Sequence, residues 1–114
     1  MADDIIYIDV EAGSKRVMNN ITLYAKLLVK FKNDQSFNEV NAAFKEGNIE
    51  KAQNASHALK GLAANLSLTE LFNQSIELEK QIKDGSLNPE QIAIVNNVYA
   101  QTIIEVDKVI AQYA

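Results

Sequence analysis

The sequence predicts an all-α fold: an antiparallel up-down-up-down four-helix bundle with a short extra N-terminal helix, built as a single domain over residues 1–114. Three observations carry this prediction. One proline and four glycines interrupt 114 residues, and Ala, Leu, Lys, Glu, Gln and Asn dominate the stretches between them, a composition that favours helix over sheet. Apolar residues recur at three- and four-residue spacings rather than alternating. Capping residues fall where helices should start and stop.

In chain order, a short helix is predicted after Asp9, running to about Val17. A helix from about Ile21 follows, with Leu23, Leu27, Leu28 and Phe31 on one face. Ser36 and Glu39 have the form of a capping box before Val40, Ala43 and Phe44, and the pattern leaves open whether 21–46 is one kinked helix or two. Gly47 suits a left-handed C-terminal position and Asn48 an N-cap, so the next helix should run from Ile49 to Leu66. Ser67 and Glu70 form a second capping-box pair. The helix after them presents Leu68, Leu71, Phe72, Ser75, Ile76, Glu79 and Ile82 along one side and ends at Gly85. The last helix starts at an Asn88 cap with Pro89 in its first turn and carries Ile92, Val95, Tyr99, Val106, Ile110 and Tyr113.

Composition excludes several function classes. Apolar residues make up 47% and charged residues 23% of the chain, as in soluble globular proteins. The net charge of −4 is spread without a Lys/Arg cluster, so a nucleic-acid partner is not expected. No apolar run approaches the roughly 20 residues that cross a bilayer. The N-terminus opens on Asp3 and Asp4 rather than on a basic stretch before an apolar segment. The absence of cysteine removes disulfide, thiol and thiolate-metal chemistry, and cytoplasmic residence as a monomer is expected.

His57 is the only histidine. On a helical wheel Ile49, Ala52, Ala55, Ser56, Leu59, Leu62, Ala63 and Leu66 define the apolar side, and His57 points roughly 160° from its centre. Its neighbours are Gln53 and Gly61 one turn away, Lys60 at three residues and Ala64 at seven, a small polar landing area. A mid-helix glycine costs up to about 1 kcal/mol relative to alanine, so Gly61 calls for a gain elsewhere; clearance beside the imidazole and close packing against another helix are the two candidates. Histidine ordinarily titrates near neutrality, which leaves a ring lone pair able to attack phosphorus. Lys60, as an ammonium one turn away, can stabilise the arriving charge.

The segment Ser56-His57-Ala58-Leu59-Lys60-Gly61-Leu62-Ala63-Ala64-Asn65-Leu66 resembles the signature of histidine phosphotransfer domains, in which lysine and glycine follow the phospho-accepting histidine at +3 and +4. Tyr24, Leu27-Leu28 and Phe31, the Phe44-Lys45-Glu46-Gly47-Asn48 turn, and Leu71 with Leu78-Glu79 look like the same family's framework, over about Ile8 to Ala114. Ser67 departs from the glycine common there, and its side chain is expected to cap the next helix instead. The resemblance implies a phosphorelay intermediate: a receiver domain of a response regulator or hybrid sensor kinase donates phosphate from its aspartate to His57, and another receiver takes it. It implies no cofactor in this chain, magnesium belonging to the receiver, and Glu79 as the side chain that holds the second ring nitrogen. A phosphate-binding glycine loop with its lysine is missing, so a carrier without autokinase activity is expected. The main rival is a non-catalytic bundle that binds a receiver. A metal-dependent bundle enzyme ranks lower, since the chain has one histidine and no Glu-x-x-His pair.

Overall fold

The computed structural model describes residues 5–114. Among them are six helices and no strand: α1 (Val10–Lys15), α2 (Ile21–Asn33), α3 (Ser36–Glu46), α4 (Ile49–Asn65), α5 (Thr69–Asp84) and α6 (Pro89–Tyr113). α2 packs on α6, α3 on α4, α4 on α5 and α5 on α6, so α2 and α3 together form the first of four arms around one core. α1 is the short additional helix and lies against α2.

The first arm is two helices. Asp34 adopts an extended conformation between them, and its Oδ1 accepts the Ser36 N–H at 2.7 Å. Asp34 therefore takes the Ser36 N–H that Glu39 would hold in a capping box, and the Glu39 N–H goes to Gln35 O at 2.9 Å, so no Ser36–Glu39 capping box forms; the N-cap of α3 is Gln35, without a side-chain bond. Both halves of the arm meet Tyr99 of α6, Phe37 stacked on its ring at 3.7 Å between centroids and Phe31 tilted at 5.8 Å. The buried face of α2 is Tyr24, Ala25, Leu28 and Phe31; Leu23 is exposed and Leu27 half-buried, a rotation from the expected stripe. α2 touches both α1 and α6, and the Tyr24 ring lies against Gly13 of α1.

Four helices end in the same left-handed closure, α1 among them: Met18 has φ of 58° and the Asn19 N–H reaches back to Ser14 O at 2.8 Å. At Gly47 and Gly85, with φ of 67° and 68°, the following N–H reaches back to Ala43 and Gln81 respectively. At the end of α4 the left-handed residue is Ser67, with φ of 57°; Leu68 N–H donates to Ala63 O at 2.9 Å. Ser67 thus closes α4 and does not cap α5, whose N-cap is Leu68 without a side-chain bond. The structure rejects the second capping box as well.

The α4–α5 turn is buried at Leu66, Ser67 and Leu68, so its carbonyls need partners inside the protein. Tyr24 Oη donates to Leu66 O at 2.6 Å, and the Asp9 N–H donates to Ser67 O at 2.9 Å. α1 and α2 thereby tie down the C-terminal end of the helix that carries His57. Gly13 lets α1 lie flat on the Tyr24 ring: a Cβ there would overlap the ring atoms, and the ring is pinned by its hydroxyl bond. Gly13→Ala is expected to destabilise the protein by about 1–3 kcal/mol, the usual cost of overpacking. A thermal melt checks this, and an unchanged midpoint would show that α1 can lift off without loss.

α5 buries Leu71, Ser75, Leu78, Glu79 and Ile82, whereas Ile76 is exposed and Phe72 half-buried. Leu78, fully buried, belongs to the stripe in place of Ile76. α6 begins as expected, with Asn88 Oδ1 accepting from Glu90 N–H and Pro89 in the first turn. None of these helices is long and apolar enough to cross a membrane.

Candidate functional site

α4 starts at Asn48, whose side chain accepts the Lys51 N–H at 3.0 Å. It buries Ala52, Ala55, Ser56, Leu59 and Ala63, with Leu66 just beyond. Ile49 and Leu62 leave the expected core stripe: Ile49 is exposed and Leu62 half-buried. Ser56 is fully buried beside His57 because its hydroxyl returns to the Gln53 carbonyl at 3.1 Å. Asn54, Ala58, Gly61 and Asn65 form the exposed stripe, and His57 stands at its edge toward α5 with 69% of its side chain exposed. Gln53, Lys60 and Ala64, all half-buried, border the ring on that same edge.

Glu79 reaches up from α5 beneath this edge. Its side chain is only 8% exposed; Oε2 lies 2.9 Å from His57 Nδ1 and Oε1 lies 2.7 Å from Lys60 Nζ. Burial alone would push its pKa up, but the hydrogen bonds and charges of Lys60 and His57 outweigh burial and hold the carboxyl below its ordinary value. An ionised carboxylate only accepts, so Nδ1 donates to it, and in the neutral form of the ring Nε2 is the nitrogen with the free lone pair. One carboxylate fixes the imidazole and holds the Lys60 ammonium beside it.

Gly61 meets open space: a Cβ built there finds no heavy atom within 4 Å. Close packing against another helix is therefore not its reason. Beyond it, an open groove of about 470 Å³ runs between α2 and the end of α4, with Leu27, Phe31, Leu62 and Leu66 among its lining residues and Arg16, Lys30 and Asp34 contributing charge of both signs. A smaller hollow of about 280 Å³ includes Ala12, Ala64 and Phe72, and Arg16 borders both. The sequence pattern assigned Leu27 and Leu62 to the core. Both are half-buried and pack against the edge of the core while lining the groove.

A family model described as Hpt domain matches residues 30–112, most of the chain and all of α3, α4 and α5. The chain belongs to the Hpt domain family. No curated protein and no solved structure matches it. The matched region begins near the end of α2, later than the Ile8 start that the sequence resemblance suggested, so α1 and most of α2 lie outside it. Hpt domains serve histidine phosphotransfer in phosphorelays, as phosphocarriers rather than enzymes, and interact there with receiver domains. In this Hpt chain the site brings together three of the residues singled out from sequence, His57, Lys60 and Glu79, while Gln53, Gly61 and Ala64 frame them.

Proposed function

We propose that this protein is a phosphorelay intermediate that accepts a phosphoryl group on His57 Nε2 from a receiver-domain aspartate and passes it to another receiver. The observation that carries this reading is the state of the one histidine: exposed, with Nδ1 engaged by an ionised, buried Glu79 and Nε2 left open. Phosphoryl transfer depends on positioning and on stabilising the equatorial oxygens. Glu79 supplies the first by fixing the ring, and Lys60 contributes to the second. The magnesium ion belongs to the receiver, and Gly61 gives the receiver's active site room to approach. The apolar groove beside Leu62 offers it a surface to rest on.

The test is incubation with a phosphorylated receiver. Phosphate should move onto this chain as an acid-labile, alkali-stable label, and binding of the receiver without any label would replace the carrier reading with that of a binding module. Lys60→Ala is expected to slow transfer without abolishing it, since the receiver's own cations also neutralise the phosphoryl group. It should also lower stability by about 1–2 kcal/mol, because buried Glu79 loses a charge-assisted hydrogen bond. Stopped-flow transfer and thermal melts separate the two effects; a parental transfer rate would confine Lys60 to holding Glu79.

A further inference from the structure

The position of Glu79 bears on the stored phosphoryl group as well as on the ring that accepts it, and this inference rests on the carrier reading above. When Nε2 attacks, the P–N bond forms with its lone pair while the bond from phosphorus to the receiver's aspartate oxygen breaks, the carboxylate leaving with the electron pair. The ring then carries substituents on both nitrogens and a positive charge, unless the Nδ1 proton departs. On return to a receiver aspartate the P–N electrons go back to Nε2. If Nδ1–H has been kept, the leaving group is a neutral imidazole; if it has been lost, the leaving group is an imidazolate, which is far poorer.

Among the described residues, the charged groups at the ring are Glu79 from α5, at 2.9 Å from Nδ1, and Lys60 on α4 itself, joined through Glu79. The Lys60 ammonium opposes a second positive charge nearby, but it is paired with the other carboxylate oxygen at 2.7 Å and secures the anionic form of Glu79. The net local field at Nδ1 is that of a buried acceptor carrying charge, which strengthens a hydrogen bond from a cationic donor. We propose that Glu79 keeps phospho-His57 as the imidazolium, Nδ1–H being retained through both transfers, so that the phosphoryl group arrives and leaves without a proton passing to water. Glu79 is then a positioning residue that also sets how readily the stored phosphoryl is given up.

The chain has a single histidine, so the full-length protein labelled with ¹⁵N-histidine reports one ring. After phosphorylation by a receiver, Nδ1 is expected to stay protonated at pH values where free phosphohistidine has lost that proton. Glu79→Gln keeps an acceptor for Nδ1–H but removes the charge; it should move the ring's titration down by about one pH unit and slow return transfer about tenfold in the range where only the parent ring is cationic. Lowering the pH should restore the variant's rate, a recovery that a purely structural role would not give. An unprotonated Nδ1 in the phosphorylated parent overturns the proposal, as does a Glu79→Gln protein that returns phosphate at the parental rate throughout. If Glu79→Gln does not fold, the parent's ¹⁵N spectrum decides alone. Absence of label on the parent would instead overturn the carrier reading, and the proposal with it.

Discussion

His57→Gln is expected to abolish phosphate uptake from a phospho-receiver while leaving the fold in place. No other imidazole exists in the chain, so no second side chain offers a ring nitrogen to the phosphoryl group. The fold should persist because the His57 side chain is 69% exposed and makes no contribution to the apolar core. Its one polar duty is the bond to Glu79, and a glutamine amide can donate to the same carboxylate while Lys60 continues to neutralise it. The expected stability change is therefore within about 0.5 kcal/mol, as at other surface positions. Phosphate incorporation and a thermal melt on the same preparation provide the check. A folded His57→Gln protein that still takes up acid-labile label would place the acceptor elsewhere and undo the assignment.

The parts of this site that sequence could show are those set by residues close along the chain. Asp9, Asn48 and Asn88 cap their helices, and Gly47 and Gly85 close theirs, because each needs only its own neighbours within a turn or two. The exposure of His57 and the open space at Gly61 follow from helical periodicity alone. Ser36 and Ser67 show where that reasoning stops. Each begins a Ser-x-x-Glu pattern, yet Asp34 takes the Ser36 N–H that Glu39 would accept, and Ser67 is drawn into a left-handed closure of the preceding helix. That closure depends on Tyr24 and Asp9, which meet the turn from distant parts of the chain.

Glu79 is the instructive case within the site. Family resemblance could nominate it, but a glutamate with a lysine four residues on has the local look of a solvated ion pair. Only the approach of α5 to the small residues of α4 buries it and gives it His57 and Lys60 as partners. The same packing puts His57 on the edge facing α5 instead of directly opposite the core, which makes Lys60 a ligand of Glu79 before any phosphate arrives. Charge on the phosphoryl group must then share Lys60 with Glu79, a competition invisible to a helical wheel.

Gly61→Gln is expected to leave the protein at least as stable as the parent and to cut the transfer rate by about a hundredfold. The stability half follows from propensity: glycine is the weakest ordinary helix former and glutamine a fair one, so an exposed mid-helix exchange should gain several tenths of a kcal/mol. Nothing opposes that gain, because a Cβ at this position meets no atom within 4 Å. The rate half follows from the neighbouring ring. A long side chain one turn from His57 occupies the space through which the receiver's phosphoaspartate must come, and a displacement of about 1 Å between reacting groups can cost a hundredfold. Gly61→Ala separates the two effects: its single methyl should raise stability by up to about 1 kcal/mol yet leave transfer close to parental. The measurement is a thermal midpoint and a transfer rate for each variant. A fall in midpoint for Gly61→Gln would mean that the glycine serves the helix's own packing after all, while a stable Gly61→Gln protein that transfers at the parental rate would take Gly61 out of the receiver's path.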